Sequence, residues 1–176
     1  MPEIKRYVIG KDATGRSAVL SDNITNIQTK EGYYWRSTLW ATTNFPPNND
    51  TDQDISDAIA SREPAPDGLI FRALEIAPDD EDVERHRRVL AELNSQVGQR
   101  AQPSAADLAR HPNMHRTATL DFTTCVRGEI YLITDTDEVK MTAGDTVIIR
   151  GGNHAWSNRS KQPCLLMVVM VDAQPK

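Results

Sequence analysis

Cysteine is nearly missing: Cys125 and Cys164 are the only two in 176 residues, and their spacing is not that of a metal site. Both sit in apolar, strand-like runs, so reduced core cysteines of an intracellular protein are expected; a disulfide would need an adjacency that spacing alone does not supply. Long hydrophobic runs are lacking too, and no stretch of about eighteen apolar residues exists to span a bilayer. Basic residues are outnumbered, 20 Lys and Arg against 25 Asp and Glu, which removes the positive field needed to hold nucleic acid or anionic lipid. The opening residues, Met1-Pro2-Glu3-Ile4-Lys5-Arg6, lack the charged-then-apolar order of a secretion signal. These absences leave a cytoplasmic, single-domain protein whose partner is a small molecule, with no nucleic acid and no membrane.

What is present is concentrated in one run, His115 to Val126. Successive side chains on a strand point to opposite faces. The odd positions are His115, Thr117, Thr119, Asp121, Thr123 and Cys125, while Ala118, Leu120, Phe122 and Val126 are even. A surface strand would carry long charged residues on its polar face. Here that face holds an imidazole, a carboxylate and short hydroxyls, the lining of a cavity. The opposite, apolar face packs on protein and suits a homodimer contact.

Along the chain, Arg6–Ile9 and Ser17–Leu20 flank a turn at Lys11–Gly15 and form a hairpin. Tyr33–Thr42 and Leu69–Ile76 are strands, with a Pro, Asn and Asp loop at Asn44–Asp54 and a short helical turn within Ile55–Ser61. Asp79–Arg100 is expected to be helical, with acidic residues at its start and a stripe of Val83, Val89 or Leu90, Leu93 and Val97. Ser104 N-caps a second helix that ends at Arg110. From Met114 onward short strands recur: His115–Val126, Ile130–Thr134, Glu138–Thr142, Thr146–Arg150, His154–Asn158 and Cys164–Val171. That regular spacing predicts a sandwich or barrel.

Two segments in this half resemble the motifs of the cupin superfamily. His115, Thr117, Asp121 and Gly128 fall at the spacings of the first motif (Gly, His-x-His, Glu, Gly), and Gly144-Asp145 through His154 and Asn158 follow the second. The resemblance implies an all-β fold, a double-stranded β-helix or jelly-roll barrel, over residues 69–176, with a helical insertion at 79–110 and residues 1–68 as an N-terminal β extension packing on the barrel. His-Arg-Thr-x-Thr-x-Asp followed by Arg-Gly-x-Asn-His-x-Trp-x-Asn looks like a subgroup of small bacterial and fungal cupins, several found with natural-product pathways and often described as oxidoreductases. A homodimer is implied as well. The sequence departs from the motifs where Ala109 replaces the leading Gly, Thr117 the second His, Asp121 the Glu, and Arg150-Gly151 the proline turn.

Cupins usually bind a divalent metal through the residues carried over here to His115, Asp121 and His154. Two imidazoles and a carboxylate are the ligand set of non-haem iron oxygenases, so the first reading is a metal-dependent oxidoreductase using Fe, with Mn or Zn as alternatives. The second reading uses no metal: a neutral imidazole acts as base or acid while Asp121 orients it, in a dehydratase, isomerase or cyclase. In both, Thr117, Thr119, Thr123 and Trp156 contact a substrate. The third reading is a ligand-binding barrel without turnover, with His115 and Asp121 a polar core pair. An uncharged, narrow lining favours a compact oxygenated aromatic or polyketide-derived molecule. Among the remaining residues, His111 reads as surface or pocket rim and His86 as a solvated helix face. Trp35, Trp40 and Phe45 read as core or dimer contacts, Gly151-Gly152 as a turn that brings the chain close to His154, and Asn158 as a turn closer.

Overall fold

Eleven strands and two short helices account for the regular structure of the computed structural model, which describes residues 2–50, 53–96 and 101–174. The strands are β1 (Val8–Lys11), β2 (Ser17–Ser21), β3 (Ile27–Lys30), β4 (Tyr34–Thr42), β5 (Leu69–Ile76), β6 (Thr119–Arg127), β7 (Glu129–Thr134), β8 (Glu138–Thr142), β9 (Thr146–Arg150), β10 (His154–Ser157) and β11 (Cys164–Asp172). A 3₁₀ turn covers Ser56–Ala58; α1 is Val83–Gln96 and α2 is Ala105–Arg110. β1 and β2 make the expected hairpin, turned at Gly15 with φ +80°.

The other strands build two antiparallel sheets, one of six strands in the order β3-β4-β5-β11-β6-β9 and one of three in the order β10-β7-β8. Alternation decides what each face buries. Leu166, Val168 and Met170 of β11, Cys125 of β6 and Ile149 of β9 meet Ile130, Leu132, Met141 and Trp156 of the smaller sheet in one cluster, so the main core lies between the sheets. The other face of the large sheet is covered by the N-terminal segment, where Ile4 and Ile24 pack on Trp35, Leu39, Ala73 and Phe71. Arg6 pins that cover: it is 7% exposed and donates to Leu39 O, Asp54 and Ser56. Trp35 is therefore core, as expected, while Phe45 is exposed.

Several elements differ from the sequence reading. β3 was not foreseen; it pairs along β4, which in turn pairs along β5, so residues before 69 continue the large sheet edge to edge. The run from His115 does not enter the ladder at once: regular pairing begins at Thr119, and His115 instead forms an isolated bridge with His154. The helix expected over Asp79–Arg100 is shorter, because Asp79 and Asp80 are held outside it. Asp79 accepts from Ser157 Oγ and Asn158 N, and Asp80 pairs with Arg85. The part of that helix at 97–100, with Val97, lies outside the described residues. α2 starts as expected, with Ser104 and Asp107 forming a reciprocal capping box. Cys125 and Cys164 are buried free thiols 3.6 Å apart, both harder to ionise because burial disfavours the thiolate. On the outward face of β6, Phe122 and Val126 are exposed, and Ile148 across the ladder from Phe122 is exposed as well.

Asn158 closes its turn from a fully buried position. It donates to Ile76 O and Gln162 O at 3.0 and 2.9 Å and accepts from Ser160 N at 3.1 Å, which ties β5, β10 and the approach to β11 together. Asn158→Ala removes these bonds from a fully buried position and is expected to cost about 3 kcal/mol. Urea unfolding is the check: a lowered midpoint with unchanged slope is expected, and an unchanged midpoint contradicts this role.

Candidate functional site

The turn before β10 brings the two histidines together. Gly151 takes φ +62°, with Thr117 O just 3.4 Å from where a Cβ would sit. The chain then runs beside residue 115: each backbone N–H of His115 and His154 donates to the other's carbonyl at 2.9 Å, and the ring centroids are 4.3 Å apart. His115 Nδ1 lies 2.8 Å from Asn113 O and His154 Nδ1 2.9 Å from Gly152 O. A carbonyl can only accept, so each Nδ1 carries the hydrogen and each Nε2 keeps its lone pair. Burial is the main reason both rings stay neutral. For His115 the Arg62 charge and the second imidazole add to it, and His154 is pushed down to about 4. Backbone carbonyls, not Asp121, therefore orient the imidazoles, which corrects the expected His–Asp pair.

Asp121 stands on the inner face of β6, in register with Met170 on one side and Ile149 on the other. It is 3% exposed, and its Oδ1 has no hydrogen-bond partner. Burial pushes its pKa up to about 6, against the Thr119 and Thr117 hydroxyls and the Arg72 charge, which favour the carboxylate. Thr119 Oγ1 donates to Thr117 Oγ1 at 2.7 Å. These two threonines are absent from the cavity wall. Thr123 and Trp156 do line the cavity, with Trp156 edge-on to the His154 ring at 6.1 Å.

One cavity of about 160 Å³ gathers His115, Asp121 and His154. At roughly 15 Å³ per water it has room for a small molecule. Leu74, Ile76, Val168 and Met170 form its apolar side, and Leu90 and Leu93 of α1 cover it. His86 on the same helix turns inward too: it stacks on Tyr33 at 5.8 Å and its Nδ1 accepts from Asp80 N, so it is not the solvated residue expected. His111 stays off this wall, half-buried, with Nδ1 accepting from Asn113 N. The lining is also not uncharged, because Arg36, Arg62 and Arg72 are part of it. Sequence reasoning missed them. The available signal was Arg72 inside Leu-Ile-Phe-Arg-Ala-Leu-Glu-Ile, a charge that shares its face with Leu74 and Ile76.

A metal site asks for more than this. Among the described residues no three His, Cys, Asp or Glu side chains come close enough together to hold one ion. His115, His154 and Asp121 share a cavity without converging on a point, so the donor set expected for iron, manganese or zinc does not fit the residues as they stand.

Residues 99–170 match the family described as Cupin domain. That stretch, less than half of the chain, is similar to a cupin domain. It contains both histidines and Asp121, whereas Arg36, Arg62, Arg72 and His86 precede it. Among curated proteins, Oryzines biosynthesis cluster protein J of Aspergillus oryzae is 39% identical over 66 residues, 36% of this chain and 37% of that protein. Phomopsin biosynthesis cluster protein C' of Diaporthe leptostromiformis is 41% identical over 64 residues, 35% of this chain and 34% of its own. The matches thus span about a third of these relatives' length. Among solved structures, an RmlC-like cupin from Shewanella frigidimarina aligns with TM-score 0.42 at 13% identity, covering 85% of this chain and 86% of its own. KdgF from Halomonas sp. aligns with TM-score 0.44 at 8% identity, covering 83% of this chain and 87% of its own.

The buried carboxyl gives a prediction with a definite sign. Asp121 binds its proton more tightly in the folded protein, about 6 against 3.8, so its contribution is full below 3.8 and is lost as pH rises through about 6. Asp121→Asn is therefore expected to be more stable than the parent at pH 8 by about 3 kcal/mol, with the gain vanishing near pH 4. Thermal unfolding across that range measures it; a gain independent of pH contradicts the assignment.

Proposed function

We propose that this protein is a small-molecule biosynthetic enzyme that moves a proton on a compact oxygenated substrate, as a dehydratase, isomerase or cyclase does. The observation that carries the reading is Asp121, which lines the cavity shared with two neutral imidazoles and has a buried Oδ1 without a hydrogen-bond partner. A base is most effective when its pKa lies near the working pH, and about 6 meets that condition. The Asp121 carboxylate takes a proton from a carbon beside a carbonyl. The resulting acid returns it to another carbon, or to a departing hydroxyl that leaves as water. The Nε2 lone pairs of His115 and His154 accept hydrogen bonds from the substrate's hydroxyls and hold it in register. The fungal relatives, named as biosynthesis cluster proteins, support the biosynthetic part of this reading.

A metal-dependent oxidoreductase is the second reading. One observation favours it: both Nδ1–H groups are anchored on carbonyls, which leaves Nε2 available as histidine ligands require. Two imidazoles alone are an incomplete donor set for that chemistry.

Solvent exchange separates the two. Incubated in D2O with a panel of compact 3-hydroxy carbonyl compounds, the enzyme is expected to incorporate deuterium at the carbon beside the carbonyl, and EDTA leaves the rate unchanged. Asp121→Asn lowers it by about 10²- to 10⁴-fold while the protein stays folded, and the wild-type rate rises with pH through about 6. Loss of activity in EDTA with recovery on adding Fe(II) replaces this reading with the second.

A further inference from the structure

The arginines on the cavity wall have no role in the chemistry described so far. Arg36 on β4 is registered opposite Leu74, two residues along β5 from Arg72, and both reach the cavity from the large sheet's inner face. Arg62 joins them from the loop that precedes β5. The hydrogen-bond partners of Arg36 and Arg72 are uncharged. Arg36 donates through Nε to Gln28 Oε1 at 3.0 Å, and Arg72 donates to the backbone carbonyls of Arg62 and Ser61 at 3.3 and 3.2 Å. Arg72 is 5% exposed, and its Nε has no hydrogen-bond partner. Among the described residues, neither Arg36 nor Arg72 has a carboxylate at ion-pair distance.

Gathering these charges is unfavourable by itself. Burial first, then Arg36 and Arg62, weaken proton binding by Arg72, whose pKa is nevertheless about 9, so it remains a cation at neutral pH. Glu63 offsets Arg62, and Asp121 draws on Arg72. Asp79, at another part of the wall, is taken up by Ser157, Asn158 and His86. A buried guanidinium with no carboxylate at ion-pair distance is matched to an anion that arrives from outside, and its planar fork suits a carboxylate.

We propose that Arg36 and Arg72, with Arg62 beside them, bind the carboxylate of the substrate. The claim deepens the proton-transfer reading, since it identifies what holds the substrate while Asp121 acts. The anchored carboxylate occupies the end of the cavity where Arg72 and Asp121 influence each other. The guanidinium then also faces negative charge that develops on the substrate as its proton leaves.

Titration calorimetry at constant ionic strength tests the subsite with benzoate, its neutral counterpart benzamide, and benzenephosphonate as probes. Benzoate is expected to bind at least tenfold more tightly than benzamide, and Arg72→Met to weaken it at least tenfold. Should that buried substitution prevent folding, Arg36→Gln, at a half-buried position, is expected to give a loss of the same order. Asp121→Asn is expected to tighten benzoate binding by removing a competing negative charge. Equal affinity for benzoate and benzamide, or unchanged affinity in the folded arginine variant, overturns the proposal. A phosphonate preference of tenfold or more overturns the assignment to a carboxylate. Binding requires no turnover, so intact benzoate binding without deuterium exchange overturns the proton-transfer reading alone.

Discussion

Desolvation at the inner face of the six-stranded sheet governs everything distinctive about this protein. The positions between the sheets are where strand alternation normally places aliphatic side chains, and most of them are aliphatic, as Leu166, Val168 and Ile149 are. Asp121 and Arg72 occupy the same face, and the two histidines abut it across the cavity. Removing water penalises every charged form there, so the imidazoles stay neutral, the carboxyl holds its proton longer and the guanidiniums hold theirs less firmly. A solvated version of the same residues would have ordinary acidity and no particular chemistry.

The strands that could be read from local pattern were read well. β5, β8 and β9 begin and end where alternation and turn residues place them, and β6 differs mainly in where it starts. That one difference matters for the site. Parity counting puts His115 and Asp121 on one face only if a single strand joins them, yet the ladder begins at Thr119 and His115 answers to β10. The two residues still line one cavity, but the imidazole is oriented by a carbonyl two residues back along its own chain. The arginine wall was illegible for a different reason. Arg36 and Arg72 meet through the pairing of β4 with β5, and Arg62 joins them from a loop, and no spacing within a motif encodes either fact.

The helical segment shows the same division between local and non-local information. Its existence and the Ser104 cap follow from composition and spacing, because capping is decided within one turn. Which side of α1 faces inward depends on what it covers. Leu90 and Leu93 close the cavity, and His86 is drawn in by the Tyr33 ring and the Asp79–Asp80 turn. Counting charges in Glu84-Arg85-His86-Arg87-Arg88 could not reveal a tyrosine brought in from the turn before β4.

The cavity has two walls drawn from different stretches of the polypeptide. One, with the imidazoles and Asp121, lies within residues 99–170, the stretch that matches the cupin family; the other, with the guanidiniums, is contributed by β4, β5 and the loop between them. They join where β11 pairs with β5 on one edge and β6 on the other. On the proposed assignments, the reacting groups and the groups that select the substrate are encoded in different stretches of the gene. Exchanging the upstream stretch is then expected to re-tune which molecule is accepted while leaving the proposed reacting groups in place.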